Sequence, residues 1–135
     1  MVEAMVVKET ISSEMIDAGA ALIRRLDHAN LLVSAAFWLY LPESNAWRLM
    51  IASPEVRSQG PRKIYQRIQP IIAKMETEGT NIGLNDISVV ENNDPLIEVL
   101  RKAVKTSSNG ISGIRFSKNT IDGHFIEDAY IYRLA

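Results

Sequence analysis

The stretch that decides the fold reads LLVSAAFWLYL over Leu31–Leu41, PESN over Pro42–Asn45 and AWRLMIAS over Ala46–Ser53. Two apolar runs rich in strand-forming residues flank a short polar turn, so the stretch predicts a β-hairpin. Both the odd and the even positions of the first run are apolar. Strands that are apolar on both sides are usually covered on both sides. The hairpin therefore predicts a sheet with helices, or a second subunit, against each face.

The residues before the hairpin predict an amphipathic helix that begins at Ser13, with Ser13 as its N-cap. Its apolar stripe consists of Met15, Gly19, Leu22, Ile23 and Leu26. Ahead of the helix lies a lead, Met1–Ile11, for which a helical turn, an edge strand and a frayed tail all stay open. The predicted domain is therefore a single unit over residues 12–135.

A second helix is predicted to open at Gly60-Pro61, because proline at the first helical position loses no hydrogen bond. Pro70 lies inside the helical pattern and is expected to kink the helix or to end a first segment near Gln69. Gly79 is the expected left-handed residue at the carboxyl end.

The last third of the chain predicts a strand, a helix and a second hairpin. A short strand covers 87–90, and Asn93-Asp94-Pro95 starts a helix that ends at Ser107–Gly110. Strand four is predicted over Ile111–Ser117, a hairpin loop over Lys118–Gly123 and strand five over His124–Leu134.

The element order is therefore αββαβαββ, an α/β (α+β) fold with three helices and a mixed five-stranded sheet. Hairpins pair their strands antiparallel, whereas helical crossovers favour parallel neighbours, so each of the two crossovers predicts a parallel pair. The layers are expected to form a two-layer or three-layer sandwich, and the strand order stays open.

Composition narrows the class of protein. The chain has 135 residues, 15 basic and 16 acidic side chains, and no cysteine. This balance argues against a polybasic protein and an acidic disordered chain, and the missing cysteine excludes disulfides and thiol chemistry. No apolar run approaches the ~18 residues of a membrane span, and the first residues lack the charged-then-apolar pattern that would predict a signal peptide. A cytoplasmic protein with no membrane partner is expected.

The most suggestive stretch is Ser53–Arg67, SPEVRSQGPRKIYQR. The candidate ligand-binding residues are Arg57, Arg62, Lys63 and Arg67, which surround a predicted helix start, and Lys74 extends the basic ridge. Free amides and the dipole at a helix start suit a phosphate or carboxylate. The alternative is a solvated basic face, which is favoured by the absence of a phosphate-loop pattern.

A second candidate lies at the last hairpin, where Asp122, His124, Glu127 and Asp128 could hold a divalent metal or act as acid and base. On a strand, however, His124 and Asp128 share one face while Glu127 points to the other. No established metal-ligand spacing is present, so the spacing favours a structural role. No metal ion and no cofactor is predicted.

An aromatic group, Trp38, Tyr40 and Trp47, falls on one face of the first hairpin if Leu41 pairs with Ala46. Such a group can stack nucleobases, but large aromatics more often belong to a core or an interface. Arg48 lies on the opposite face and needs a partner, which is expected to be either a carboxylate elsewhere in the chain or a bound anion.

The first functional hypothesis is a small, non-enzymatic binding or regulatory module that contacts an anionic partner, phosphate-like or nucleic-acid-like, through 53–74. It is expected to form a homodimer, because three helices need not cover both faces of a five-stranded sheet. The alternative is a small metal-assisted hydrolase or nuclease that uses 122–128. A second alternative is a structural accessory subunit. The missing catalytic spacings put binding ahead of catalysis.

Overall fold

The structure, a computed structural model, describes residues 7–135, so the first six residues of the predicted lead lie outside the described residues. The described helices are α1 (Ser13–His28), α2 (Glu55–Gln59), α3 (Pro61–Thr77) and α4 (Pro95–Ala103), and the described strands are β1 (Ala35–Leu41), β2 (Ala46–Ser53), β3 (Ile87–Glu91), β4 (Ile114–Ile121) and β5 (His124–Leu134). The predicted order of elements is confirmed, with α2 as an additional short helix. None of the described helices is both long and apolar enough to cross a membrane.

The five strands form one mixed sheet in the order β3-β2-β1-β5-β4. The two hairpins are antiparallel, as is the pairing of β1 with β5, whereas β2 and β3 run parallel. The first helical crossover thus joins parallel neighbours, as predicted. The second does not, because α4 carries the chain from β3 at one edge to β4 at the other. That prediction was wrong, because the last hairpin pairs with β1 through β5 and thereby places β4 at the edge opposite β3.

Helices cover both faces of the sheet, which gives three layers. On the first face, α1 and α3 bury side chains such as Leu22 and Ile68 against the sheet. On the second face, Ile97 and Leu100 of α4 belong to a separate apolar cluster. Residues 35–40 of β1 are buried within this single chain. The apolar character of the first hairpin therefore does not require a second subunit.

The register of the first hairpin is the expected one, since Leu41 pairs with Ala46. Arg48 accordingly lies opposite Leu39, on the face that α4 covers. Its guanidinium donates to Ser88 Oγ at 2.7 Å and to the carbonyl oxygens of Asn85 and Ile87 at 3.0 Å each. The prediction of a carboxylate or an anion was therefore wrong, because oxygens of Ile87 and Ser88 on β3, and of Asn85 just before it, take that place.

The start of α1 and the course of α3 at its internal proline refine the predictions. The N-cap of α1 is Ser12, whose Oγ accepts from the amide of Met15 at 3.1 Å, and Ser13 is the first helical residue. Helix α3 continues through Pro70, so of the two predicted outcomes, a kink or an end near Gln69, the end does not occur. The carbonyl left without a donor by this proline belongs to Gln66, which is exposed and can bond to water. Gly79, with φ 88°, ends the helix as predicted.

The second hairpin is longer than expected. Its turn consists of Asp122 and Gly123 alone, both with positive φ, and β4 extends to Ile121 although its second half is polar. An Asp-Gly turn of two residues fixes the register of both strands, so the polar residues before it pair as well. Helix α4 correspondingly stops at Ala103, short of its predicted end.

Candidate functional site

The four predicted ligand-binding residues lie at the junction of α2 and α3, beyond the carboxyl end of β2. Gly60 adopts φ 84° between the two helices, and Pro61 occupies the first position of α3. The first turn of α3 contains no acidic residue. We refer to Glu55–Arg67 as the helix junction.

Arg67 is held by an acid of its own junction. Its Nη1 donates to Glu55 Oε1 at 2.9 Å, and Gln59 Oε1 lies 3.4 Å away. Glu55 also accepts from the backbone amide of Leu32 at 2.8 Å. The amide of Leu32, and then the Arg67 guanidinium, hold the pKa of Glu55 below its ordinary value. Arg67 therefore aligns α2 with α3, and its charge is largely compensated.

The other three predicted residues are free of such pairing. Arg57, Arg62 and Lys63 are exposed, and none of them forms an ion pair within residues 7–135. Arg57 borders a hollow of about 140 Å³ together with Pro54, Glu91, Asn92 and Asn93. The structure thus keeps three uncompensated cations around one tight turn.

Lys74 lies apart from this group. It is exposed in the groove between α1 and α3, where Arg25 and His28 also line a hollow of about 440 Å³. Arg25 is paired with Glu78 across this groove. The basic ridge predicted along α3 is thus interrupted at Arg67, whose charge Glu55 compensates.

A larger hollow lies at the end of the sheet where β2 leads into the helix junction, and it was not predicted from the sequence. It has a volume of about 560 Å³ and is lined by Asp27, residues 30–34, Pro54, Ser108, Asn109, Arg133 and Ala135. We refer to it as the loop hollow. Because Pro54 lines both the loop hollow and the small hollow beside Arg57, the two spaces are neighbours.

A buried arginine forms the floor of the loop hollow. The side chain of Arg133 is 1% exposed, and its Nη1 and Nη2 donate to the two carboxylate oxygens of Asp27 at 3.0 and 2.9 Å. The carbonyl oxygens of Val33 and Gly110 accept two further hydrogen bonds from it at 3.1 and 3.0 Å. The signal in the sequence was a single arginine inside the otherwise apolar end of β5.

The residues predicted at the last hairpin do not gather around one point. Asp122 pairs with Lys102, and His124 is exposed with Nδ1 3.2 Å from the carbonyl oxygen of Asp122. Asp128 is buried further along β5. No three His, Cys, Asp or Glu side chains in the described part of the chain are placed to hold a metal ion.

Asp128 instead anchors the segment before α1. Lys8 Nζ donates to its carboxylate at 2.7 Å, and Arg115 binds it through Nε and Nη2 at 2.5 Å each. Burial raises the pKa of Asp128, but the hydrogen bonds from Arg115 and Lys8 outweigh burial and hold the pKa below its ordinary value. The compensated charge of Asp128 indicates a structural role.

The aromatic group belongs to the core. Trp38, Tyr40 and Trp47 are 3%, 6% and 7% exposed, under α1 and the segment before it. Trp47 Nε1 donates to the carbonyl oxygen of Glu9 at 2.9 Å. With their ring faces covered, these side chains offer no stacking surface for nucleobases.

No protein-family model, no curated protein and no solved structure matches this chain. Its fold and site define it as a three-layer α+β domain with a basic helix junction at the carboxyl end of a parallel strand pair.

Proposed function

We propose that the protein is a non-enzymatic binding module that takes an anionic, phosphate-bearing ligand at the helix junction. The observation that carries this proposal is the absence of ion pairs at Arg57, Arg62 and Lys63 in the described residues, beside an Arg67 that is already compensated. Since no acid among the described residues compensates these three cations, they remain available to attract a multivalent anion.

The local backbone adds to the attraction. The amides of Arg62 and Lys63 lie in the first turn of α3, where N–H groups lack partners within the helix. An anion there gains from the helix dipole, by up to ~1 kcal/mol, and from charge-assisted bonds that an arginine can make in pairs. The junction also follows the carboxyl end of β2, a location where sheets with parallel strands commonly bind ligands.

The last hairpin supports binding over metal-assisted catalysis. Asp128 is buried and Asp122 lies in the turn, and each of these carboxylates has a cationic partner. Because its charge is already compensated, each has a lower affinity for a metal ion. The hydrolase or nuclease alternative therefore has no geometric support in the described residues.

A homodimer and a cytoplasmic location stay predictions. Both faces of β1 are covered within one chain, and the large apolar side chains left exposed among the described residues are Val7, Leu32 and Phe125, at 76%, 63% and 59%. Leu32 and Phe125 lie at opposite ends of the sheet, so burial of either one in a dimer would identify the end that forms the interface. Sedimentation of the wild type and of Leu32→Ser and Phe125→Ser would show whether the chain self-associates and through which end.

The binding proposal is tested by titrating labelled oligonucleotide and polyphosphate at low and at high salt. The test variant carries Arg57→Gln, Arg62→Gln and Lys63→Gln. The matched control carries Arg24→Gln, Lys105→Gln and Lys118→Gln, which removes equal charge from exposed positions elsewhere. The proposal expects affinity to fall steeply with salt and to be lost in the first variant only. Equal losses in both variants, or no binding at low salt, would contradict it.

A further inference from the structure

The loop hollow has the size and lining of a small-molecule site. Its volume of about 560 Å³ lies within the range of ~300–1,000 Å³ that is common for ligand pockets. Leu31, Leu32, Val33 and Pro54 supply apolar wall. Leu32 is 63% exposed at this hollow, so an apolar group bound there would remove its side chain from water.

Polar groups stand at defined places around this apolar wall. The Asp27 carboxylate is fixed by the buried Arg133, and its side chain is still 36% exposed. The side chains of Asn30 and Asn109 line the same space and make no hydrogen bond to any of residues 7–135. These groups can accept from and donate to the polar edge of a ring that lies against the leucines.

The loop hollow is joined to the helix junction on two sides. Pro54 lines it and also lines the small hollow that Arg57 borders. The amide of Leu32 donates to Glu55 at the start of α2. A ligand of ordinary size that fills the loop hollow can therefore extend past Pro54 toward Arg57. Glu91 borders the small hollow as well and disfavours an anion placed deep inside it, so the anionic group belongs on the outer, Arg57 side.

We infer that the ligand is a small organic phosphate with a flat ring system that carries polar groups at its edge, of the size of a nucleoside monophosphate. The ring system lies in the loop hollow against Leu32, and the phosphate lies at Arg57. This inference rests on the proposed function, because it identifies the class of anion that the helix junction takes. The Asp27–Arg133 pair positions the hollow and has no direct part in holding the phosphate.

The test compares adenosine 5′-monophosphate, adenosine, glycerol 3-phosphate and inorganic phosphate by calorimetry at low salt. The full chain is used, as wild type, Leu32→Ser, Arg57→Gln and the matched control Phe125→Ser, which changes an equally exposed apolar residue far from the hollow. We expect the nucleotide to bind roughly tenfold more tightly than glycerol 3-phosphate, because only its base can fill the hollow. Leu32→Ser should abolish that difference, and Phe125→Ser should preserve it.

The outcomes separate this inference from the proposal on which it rests. If all phosphates bind equally and Leu32→Ser has no effect, the hollow is not part of the site, while binding at the helix junction stands. If adenosine binds as tightly as its phosphate and Arg57→Gln has no effect, the hollow binds without the junction and the inference is wrong. If neither these phosphates nor polyphosphate bind the wild type, both fail.

Discussion

Arg133 on β5 donates two hydrogen bonds, of 3.0 and 2.9 Å, to the carboxylate of Asp27 on α1. The two residues are 106 positions apart in the sequence. The guanidinium is buried beneath the loop hollow, whereas the carboxylate is partly exposed. This pair fastens the last turn of the first helix to the last strand and fixes the loops between which the hollow lies. The pair therefore connects α1 to β5 at the end of the domain that also holds the helix junction.

Removing the carboxylate should destabilise the fold more than removing an exposed acid. Asp27→Ala leaves a buried guanidinium with two carbonyl acceptors, and we expect it to lower the free energy of unfolding by about 1–3 kcal/mol. Glu43→Ala, an exposed change in the turn after β1, should cost less than about 0.5 kcal/mol. Urea denaturation of both variants checks this. Equal free energies of unfolding for Asp27→Ala and Glu43→Ala would contradict the stabilising role of the Asp27–Arg133 pair.

Acid should weaken the anchor at Asp128. Because the pKa of Asp128 is lower in the folded protein, its contribution to stability is complete above its unfolded pKa of about 3.9 and is lost as the pH falls through its folded pKa. Asp128→Asn should therefore be less stable at neutral pH and should show a shallower loss of stability in acid. Unfolding curves measured from neutral to acidic pH check this, and parallel pH dependences would be inconsistent with it.

Neutralising Glu55 should release Arg67. Glu55→Gln keeps an acceptor for the amide of Leu32 but removes the charge that compensates the guanidinium. If the helix junction binds anions, this variant should bind polyphosphate about threefold more tightly at low salt, since exposed pairs contribute ~0.2–1 kcal/mol. Glu76→Gln, which removes an exposed acid at the far end of α3, is the control for overall charge. If Glu55→Gln leaves the affinity for polyphosphate unchanged, or if Glu76→Gln raises it equally, the role assigned to Arg67 is contradicted.

Gly19 should not tolerate a methyl group. A Cβ atom there would overlap the hydroxyl of Tyr132 and lie 2.8 Å from Trp38 Nε1. These two groups bond to each other at 3.0 Å, and the hydroxyl donates to the carbonyl oxygen of Ile16 at 2.6 Å. Gly19→Ala should destabilise by about 1–3 kcal/mol from overpacking, although alanine favours helices. A higher thermal midpoint in the variant would show that the packing is looser than described.

Local signals in the sequence were sufficient for most elements. The first hairpin, β5 and the start of α4 at Asp94-Pro95 follow from turn residues, a helix cap and runs of apolar, strand-forming residues, all of which act over a few positions. The position of β4 at the far edge did not follow, because it depends on where β5 docks and no local pattern encodes that.

The candidate site could be predicted only in part, because some of its contacts join residues that are distant in the sequence. The cluster of cations around Gly60-Pro61 is visible in the sequence, but the compensation of Arg67 by Glu55 depends on the short helix α2 folding back along α3. The loop hollow depends on the pairing of Asp27 with Arg133, which are distant in the chain. Long-range pairs of this kind become visible only once the strand order is known.

The most direct test of the central claim is a titration of the isotope-labelled protein with tripolyphosphate at low salt, followed through backbone amide shifts. Binding at the helix junction predicts that the largest shifts fall on residues 57–63 and that they vanish when Arg57, Arg62 and Lys63 are all replaced by Gln. Shifts spread evenly over the surface, or centred on the α1–α3 groove at His28 and Lys74, would contradict the account.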